Sequence, residues 1–251
     1  MENKKIIYYE QLDSTNTKID ELAAKGAEHG TVVVADAQTA GKGRRGRSWE
    51  SPAGDNIYMS ILLRPDIAPE EAPMLTLVMA HSVAKAIQKN TVLGVQIKWP
   101  NDLILSGKKV CGILTEMRLQ DASIDYVVVG VGVNVNTKVF PEELCDRATS
   151  LYLESGQEMH KEVLIEDILA IFREEYAQFI EERNLLFLQD EYNAMLVNIG
   201  KEVRVLEPGK EYTAYALCMN QTGELLVKTE EGIEKKVYAG EVSVRGVYGY
   251  V

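Results

Sequence analysis

One short segment, Gly41–Trp49, concentrates glycine and basic residues, and we call it the basic loop. Its sequence is Gly-Lys-Gly-Arg-Arg-Gly-Arg-Ser-Trp. Glycines let backbone N–H groups turn towards an anion, and the Lys and Arg side chains add positive charge. Phosphate and carboxylate groups are the ligands that such a loop binds best. Taken alone, the charge run is explained first as a solvated basic loop, and anion binding is the alternative that the glycines add.

The glycine spacing of the basic loop matches the G-x-G-x-x-G pattern of dinucleotide-binding turns, but its surroundings do not. The residues that follow, Trp49–Gly54, include a proline and cannot open the long helix which that turn requires. The Lys-Ser or Lys-Thr pair of a Walker loop is also absent. A net charge of −11 disfavours an extended nucleic-acid surface. A small anionic ligand fits the basic loop better.

A second group of polar residues lies in the segment Val95–Met117. Its pattern predicts a strand, a break at a Trp-Pro pair, a second strand, a Ser-Gly turn and a third strand. Lys98, Asn101 and Asp102 therefore leave strand ends, where binding and catalytic residues are often placed. Taken alone, Asn101 and Asp102 are also explained as a turn pair, and the Lys-Lys pair ending at Lys109 as a charged hairpin tip.

Other predicted elements bring polar groups to the same region. The run Asp13–Asn16 joins a strand to an amphipathic helix, and its Asp13 or Ser14 is a good helix N-cap. The same groups and the helix N-terminus are also able to face a ligand. A buried strand at 31–36 leads to Gln38 and the basic loop.

A later apolar strand, Tyr126–Val135, contains two glycines. Gly130 and Gly132 have the spacing expected where another group approaches the backbone, and Asn134 lies near the strand end. Helices are predicted at about 70–90, 160–181 and 185–195 from their apolar periodicity. His81 lies in the first of these helices, where a packed or surface residue is expected rather than a catalyst.

The pattern changes to short alternating strands with tight turns after Gly200, which predicts a small SH3-like β-barrel. The predicted fold class is α+β, with a mixed β-sheet catalytic domain flanked by helices at 1–198 and an SH3-like β domain at 199–251.

The chain has 251 residues, 46% of them hydrophobic and 26% charged, as in ordinary soluble proteins. No secretory or membrane-spanning segment is evident, so we expect a cytoplasmic protein without a membrane partner.

Cysteine usage indicates neither a disulfide framework nor a structural zinc site. The three cysteines, Cys111, Cys145 and Cys218, lie far apart and lack Cys-x-x-Cys spacing. We expect them to be small buried apolar residues.

The combination of motifs is more specific than any single one. In chain order they are Asp-Ser-Thr-Asn, Gln-Thr-Ala-Gly-Lys-Gly-Arg-Arg-Gly-Arg-Ser-Trp, Lys-Trp-Pro-Asn-Asp, Lys-Lys-Val-Cys-Gly-Ile-Leu and Gly-Val-Gly-Val-Asn. Together they resemble the biotin protein ligase family, and the resemblance spans the whole chain. It implies an enzyme that joins biotin to ATP, releases pyrophosphate, and passes biotin from biotinyl-5′-AMP to a lysine of a carboxylase's biotin carboxyl carrier protein or domain.

The resemblance also implies positions for the site. Residues expected around biotin are Ser14, Thr15, Asn16, Gln38, Gly41, Lys42, Gly43, Arg44, Lys109 and Gly112. Residues expected on the ATP side are Arg47, Trp49, Lys98, Asn101, Asp102, Gly132 and Asn134. Lys109, Arg44 and Lys98 are the expected catalytic residues, because cations must reduce the repulsion between a carboxylate and a phosphate. Mg²⁺ is expected to arrive on the ATP phosphates, with no dedicated protein metal site and Asp102 as a candidate contact.

Two departures from the family pattern concern single residues. Lys42 stands where many relatives carry Arg, and Cys111 stands where Ala is usual; we expect both to preserve activity. Some members carry an N-terminal helix-turn-helix domain, whereas the catalytic motif begins here at Asp13, so we expect no repressor function and no nucleic-acid partner. The resemblance is compatible with a homodimer formed through sheet edges. A lipoate ligase is the alternative within enzymes, and a nucleic-acid-binding regulator is the alternative outside them.

Overall fold

The computed structural model describes residues 6–207, 210–239 and 243–246. The strands are β1 Ile6–Leu12, β2 Val32–Gln38, β3 Ile57–Leu63, β4 Gln96–Lys98, β5 Asp102–Leu105, β6 Lys108–Gln120, β7 Ser123–Val133, β8 Glu202–Glu207, β9 Lys210–Met219, β10 Leu225–Thr229, β11 Glu234–Val237 and β12 Ser243–Gly246. The helices are α1 Thr15–Ala24, α2 Met74–Asn90, α3 Leu151–Ser155, α4 Lys161–Glu182 and α5 Leu186–Met195. Of these, α3 was not predicted from the sequence. It is a single short turn whose N-cap, Ser150, accepts a hydrogen bond from the Leu153 N–H.

The first seven strands form one sheet in the order β1-β2-β3-β7-β6-β5-β4. The pair β1 and β2 is parallel and the other neighbouring pairs are antiparallel, so the sheet is mixed. The predicted mixed sheet with flanking helices is therefore confirmed. The turn predicted between β5 and β6 is also present, with Ser106 and Gly107 both at positive φ.

The two faces of the sheet are covered differently because alternate residues of a strand point to opposite sides. One face packs against α1, where Ile19 lies on Val33, Leu62 and Val128. The other face packs against α2, which is buried along most of its length and is backed by α4. Since α1 has only 10 residues, it covers one end of its face and leaves the rest open.

The histidine of α2 is a packed residue, as expected from the sequence. His81 is buried, and its Nδ1 lies 2.8 Å from Glu175 Oε1 on α4. The other oxygen of this carboxylate accepts a hydrogen bond from Ser82 Oγ at 2.7 Å. A carboxylate buried between two helices needs such partners to offset its lost hydration, so this group joins α2 to α4.

The cysteine expectation is correct for one residue out of three. Cys111 is buried in β6, and burial raises the pKa of its thiol. Cys218 is partly buried, whereas Cys145 is exposed and its thiol donates to the Glu142 carbonyl. The prediction was wrong for Cys145 because it lies in a surface loop outside the helices and strands.

The last five strands form a separate antiparallel sheet in the order β11-β10-β9-β8-β12, which confirms a small C-terminal β domain. Residues 208–209 and 240–242, which fall within the predicted run of short strands and tight turns, lie outside the described residues. Within the described residues, no helix combines the length and apolar character needed to cross a bilayer. The boundary at 198/199 stays a prediction.

A buried tryptophan joins the C-terminal β domain to the rest of the chain. Trp99 is 1% exposed, and its Nε1–H donates to the Gly223 carbonyl at 3.1 Å. Its backbone N–H donates to Asn198 Oδ1 at 3.0 Å. Gly223 has a φ of +81°, and a Cβ there would lie 2.6 Å from Leu77 of α2. The turn at Gly223 is therefore held against the large domain by close packing and by one indole hydrogen bond.

We expect Trp99→Phe to lower the free energy of unfolding by about 2 kcal/mol, because it removes one buried hydrogen bond and leaves unfilled space. Urea denaturation of the parent and the variant measures this. Tyr8→Phe, which changes a side chain that is 58% exposed, is the control and should remain within about 0.5 kcal/mol of the parent. Equal stability of Trp99→Phe and the parent would contradict the role given to this contact.

Candidate active site

The centre of the site is a patch of small residues on the face of the sheet that α1 leaves open. Gly112 of β6 lies opposite Gly132 of β7, and Gly130 of β7 lies opposite Ser60 of β3. Gly130 and Gly132 are two residues apart, so both point to the face that also carries Val128. We call Gly112, Gly130 and Gly132 the glycine floor. The absence of side chains at these positions leaves a depression beyond the end of α1.

Two side chains from other segments lie directly on the glycine floor. A Cβ at Gly132 would be 2.6 Å from the indole of Trp49, and a Cβ at Gly112 would be 2.8 Å from the same ring. A Cβ at Gly130 would be 2.0 Å from Asn16 Oδ1. Real Cβ atoms do not approach so closely, so a side chain at any of these positions would displace Trp49 or Asn16. The spacing of Gly130 and Gly132 noted in the sequence has this physical cause.

The basic loop is a closed hairpin rather than an open anion nest. The Gly43 N–H donates to the Arg47 carbonyl at 2.7 Å, and the Trp49 N–H donates to the Gly41 carbonyl at 2.9 Å. Arg45 lies in the left-handed region with a φ of 59°. The expectation that inward-turned N–H groups hold the anion is therefore wrong for Gly43 and Trp49, whose N–H groups the loop itself uses. Side chains supply the positive charge instead.

Arg44 connects the basic loop to two distant segments. One guanidinium nitrogen donates to Asn101 Oδ1 at 2.8 Å, and another donates to the Ala239 carbonyl of the C-terminal β domain at 3.0 Å. Burial lowers the pKa of Arg44, and the neighbouring Asp102 carboxylate opposes this effect. An arginine stays protonated in proteins even so. Arg44 therefore places a fixed positive charge where the loop, the β4–β5 connection and the C-terminal β domain meet.

Lys109 provides the second fixed charge. Its Nζ lies 2.7 Å from Asp102 Oδ1 and 5.0 Å from the centre of the Trp49 ring system. The Asp102 oxygen also accepts a hydrogen bond from Asn101 Nδ2 at 3.0 Å. The side chains of Lys109 and Asp102 are 24% and 15% exposed, so the pair is largely buried and its attraction is set against the cost of desolvating both groups. Its clear effect is to restrict where the ammonium group can lie. The charged-tip explanation suits Lys108, which is partly exposed and donates to the Cys145 carbonyl.

Trp49 also contributes a buried hydrogen-bond donor. Its Nε1–H has no hydrogen-bond partner among the described residues. An unpaired buried N–H costs about 1–3 kcal/mol, so an acceptor brought by a ligand would be favoured here. The indole lies between the glycine floor and Lys109, which places this donor beside a cation.

The opposite end of the cavity is polar and uncharged. The Thr15 N–H donates to Gln38 Oε1 at 2.8 Å, and Gln38 Nε2 donates to Ser51 Oγ at 2.9 Å. Ser14 is the N-cap of α1, as predicted, but its side chain accepts no capping hydrogen bond, so the expected side-chain cap is wrong. Ser14 and the first two residues of α1, Thr15 and Asn16, are instead buried against the cavity that they line.

The structure brings together most of the residues that the sequence indicated. The cavity is lined by Ser14, Thr15, Asn16, Gln38, Lys42, Gly43, Arg44, Trp49, Asn101, Lys109, Gly112, Ile113, Leu114, Gly130, Val131 and Gly132. Gly41 is the first residue of the basic loop and is not among the lining residues; a Cβ there would be 2.4 Å from the Trp49 carbonyl oxygen. Asp102 lies behind Lys109 and meets the cavity through it.

Besides Asp102, three of the residues expected on the ATP side do not line this cavity. Arg47 is exposed on the basic loop, and Lys98 is 4% exposed at the end of β4. Asn134 is buried, and its Nδ2 donates to the Thr149 carbonyl, which holds the segment before α3 against β7. Their assignment to the nucleotide stays a prediction.

Sequence reasoning missed Ser60 and Glu116. Ser60 Oγ lies 2.8 Å from Thr15 Oγ1 and 2.6 Å from Asn16 Oδ1, and Glu116 Oε2 accepts from Asn16 Nδ2 at 2.7 Å. Ser60 lies within an apolar strand, and Glu116 looks like an ordinary exposed strand residue, so neither carried a motif. The one usable signal was a hydroxyl inside a fully buried strand, which needs a partner.

The described residues form no metal centre. No group of three or more His, Cys, Asp or Glu side chains among them converges as metal ligands. Asp102 is paired with Lys109 and Asn101, so it does not resemble a carboxylate set aside for a cation. The arrangement suits a metal ion held by phosphate oxygens and does not form a protein cage for one.

Comparison with known proteins identifies the family of this chain. Residues 8–134 match the sequence model of the biotin/lipoate A/B protein ligase family, and residues 199–245 match that of the biotin protein ligase C terminal domain. The bifunctional ligase/repressor BirA of Bacillus subtilis is 38% identical over 241 residues, which cover 95% of this chain and 74% of that protein. The biotin--[acetyl-CoA-carboxylase] ligase of Mycobacterium tuberculosis is 36% identical over 239 residues, covering 92% of this chain and 86% of that protein.

A solved structure is similar over nearly the whole length. The biotin protein ligase from Aquifex aeolicus in complex with biotin and ATP superposes with a TM-score of 0.86 and 33% identity, covering 97% of this chain and all of that one. The chain belongs to the biotin/lipoate A/B protein ligase family and has the fold of its biotin protein ligases.

Proposed function

We propose that this protein activates biotin with ATP to form biotinyl-5′-AMP and pyrophosphate, and then transfers biotin to a lysine of a biotin carboxyl carrier protein. The observation that carries this proposal is the convergence of Arg44 and Lys109 on one cavity that has a glycine floor and a polar, uncharged end. The solved relative that binds biotin and ATP supports the choice of substrates.

The first half-reaction brings two negative groups together. The biotin carboxylate attacks the α-phosphorus of ATP, a carboxyl O–P bond forms, and the bond to pyrophosphate breaks. Two like charges 4 Å apart repel by about 4 kcal/mol at the surface of a protein. Lys109 and Arg44 are held in place by Asp102 and Asn101, so they oppose this repulsion without having to reorganise during the reaction. The buried Trp49 Nε1–H is a further donor for a phosphate oxygen.

The product of this step is a mixed anhydride that water would hydrolyse. The basic loop carries Trp49 onto the glycine floor, and Arg44 fastens the loop to the C-terminal β domain. A closed loop of this kind keeps water away from the reactive acyl carbon. Arg44 therefore has a second role, in retaining the adenylate.

In the second half-reaction, a neutral lysine amine of the carrier attacks the acyl carbon. A C–N bond forms, the C–O bond to AMP breaks, and the amine loses a proton. Among the described residues, those that line the cavity include no Asp, Glu or His. Positioning of the amine beside the acyl carbon therefore supplies much of the rate, as it does in other reactions between bound groups.

Several finer assignments belong to the same proposal. Mg²⁺ would accompany ATP on its phosphates. The relatives named biotin--[acetyl-CoA-carboxylase] ligase support a carboxylase carrier as the partner. A homodimer through sheet edges and a cytoplasmic location stay predictions from the sequence.

Lipoate is the competing substrate, since the family name covers both ligands. The polar end of the cavity favours a head group with N–H and C=O groups, which biotin has.

The direct test incubates the purified protein with biotin, MgATP and a biotin carboxyl carrier domain. Intact-mass spectrometry should show one biotin added to the carrier, and none when ATP is left out. A parallel reaction with lipoate and a lipoyl domain should give no modified product. Addition of lipoate in preference to biotin would assign the protein to the other branch of the family.

Lys109→Ala should slow pyrophosphate release from biotin and ATP by about 100-fold or more, because it removes a preorganised cation beside the developing charge. Lys108→Ala is the matched control: the side chain of Lys108 donates to the Cys145 carbonyl and is not part of the cavity lining, so this variant should keep the parental rate. Equal rates for the two variants would show that Lys109 is only a charged hairpin tip.

Gly132→Ala should lower the rate of adenylate formation by about 10- to 100-fold, since its Cβ would meet the Trp49 ring at 2.6 Å and displace the basic loop. Gly94→Ala is the control, because a Cβ there has no neighbour within 4 Å. The measurement is single-turnover formation of biotinyl-AMP. A parental rate for Gly132→Ala would mean that contact of Trp49 with the floor is not needed for the chemistry.

A further inference from the structure

A buried serine in the middle of β3 makes two short contacts with the polar end of the cavity. Ser60 is fully buried, and its hydroxyl lies 2.8 Å from Thr15 Oγ1 and 2.6 Å from Asn16 Oδ1. Its neighbours along β3 are apolar and form the core. A hydroxyl placed there costs free energy unless it is paired, so its position indicates a specific use.

The proton of Ser60 can be assigned from the groups around Asn16. The Asn16 amide faces Glu116 Oε2 at 2.7 Å and the Leu114 carbonyl at 3.5 Å, and both of these groups are acceptors. The amide nitrogen must therefore face them, which leaves Asn16 Oδ1 facing Ser60. An amide oxygen only accepts, so the single proton of Ser60 is donated to Asn16.

The same reasoning fixes the hydroxyl of Thr15. The Ser60 hydroxyl already donates its hydrogen bond to Asn16 Oδ1. The 2.8 Å contact between Ser60 Oγ and Thr15 Oγ1 therefore requires the Thr15 hydroxyl to donate to Ser60. Thr15 Oγ1 also lies 3.2 Å from Gln38 Oε1, which already accepts the Thr15 N–H. Only two hydroxyl protons, those of Ser60 and Thr15, are available for three oxygen–oxygen contacts. The longest contact, 3.2 Å between Thr15 Oγ1 and Gln38 Oε1, is therefore the one without a proton. Thr15 Oγ1 and Gln38 Oε1, which belong to two residues that line the cavity, are therefore two adjacent acceptors.

We propose that Ser60 is a positioning residue that makes Thr15 a hydrogen-bond acceptor for an N–H group of the ligand. Thr15 donates to Ser60, Ser60 donates to Asn16, and Asn16 donates to Glu116. Because the Glu116 carboxylate can only accept, it fixes the direction of every hydrogen bond in this chain. This inference rests on the proposed function, because the cyclic urea of biotin offers N–H donors. A dithiolane ring has no N–H group, so the same arrangement disfavours lipoate.

The glycine floor gives independent support. Gly130 lies opposite Ser60 in the sheet, and a Cβ there would be 2.0 Å from Asn16 Oδ1. The glycine at position 130 therefore leaves space for Asn16 Oδ1, the atom that accepts the hydrogen bond from Ser60. A purely space-filling asparagine would not require its oxygen to lie so close to the backbone.

Binding of biotin to Ser60→Ala, Thr15→Val and the double variant, measured by isothermal titration calorimetry, tests the proposal. Each single change should raise the Kd for biotin by about 10-fold or more. The double variant should bind no more than about threefold worse than Thr15→Val alone, because both changes remove the same acceptor. Ser82→Ala is the matched control: Ser82 is a fully buried serine of α2 that contacts Val78 and Glu175, away from the cavity.

A chemical probe separates this role from a general structural one. Biotin methylated at the ureido nitrogens lacks the N–H donors, so its loss of affinity relative to biotin should be large in the parent and several-fold smaller in Ser60→Ala. A loss of the same size in both proteins, or additive effects of Thr15→Val and Ser60→Ala, would overturn the proposal. A structural defect would weaken both ligands equally.

Glu116→Gln provides a variant that should not disturb folding, because this side chain is exposed. Its amide can present either an acceptor or a donor to Asn16, so the polarity is no longer fixed, and biotin should bind several-fold more weakly. Glu10→Gln, an exposed carboxylate on β1, is its control. Equal affinity for these two variants would overturn the proposal.

Two kinds of failure can be told apart. If the parent binds biotin but the effects of Ser60→Ala and Thr15→Val simply add, this inference alone is refuted. If the parent does not bind biotin at all, the proposed function is refuted as well.

Discussion

The site depends on a close approach to the backbone of a β-sheet. Strands normally hold other groups away with their side chains, and here three glycines on one face remove that barrier. Trp49 and Asn16 then lie against the sheet itself. The indole and the amide come from different segments of the chain, so the glycine floor is the common surface that sets their relative positions. Every other part of the cavity is built around these two contacts.

The site also needs positive charge, and the chain supplies it locally at the cavity, through a small number of basic side chains. The net charge of −11 leaves the protein acidic overall, yet Arg44 and Lys109 lie together at one cavity. Each has an oxygen partner, Asn101 for Arg44 and Asp102 for Lys109. These neighbouring residues both lie where the Trp-Pro break separates β4 from β5, so a single turn holds both cations. Fixed charges of this kind act on a ligand without first having to be ordered by it.

Much of the fold could be predicted from the sequence because periodicity and turn residues are local signals. The buried strands, the amphipathic helices and the switch to short strands after Gly200 are all read within windows of a few residues. Gly130 and Gly132 were also visible, since two glycines in an apolar strand call for a reason. What approaches them could not be predicted, because Asn16 and Trp49 lie about a hundred residues away along the chain.

The parts of the site that the sequence concealed are those fixed by tertiary contacts alone. Ser60 appears as one polar residue in an apolar strand, and only its contacts with Thr15 and Asn16 reveal its use. The basic loop looked open because glycine and arginine are common in exposed loops, and the hydrogen bonds that close it depend on its own three-dimensional path. Motifs therefore indicated where the chemistry is located, and geometry was needed to say how each group is held.

The bond between Arg44 and the C-terminal β domain uses a carbonyl of the main chain rather than a side chain. Its geometry is determined by the path of the backbone at Ala239, so the residue type at that position can drift without loss of the bond. Sequence comparison would accordingly register no signature for it. Two domains can thus remain mechanically linked at a reactive centre while the linking residue itself varies freely during evolution.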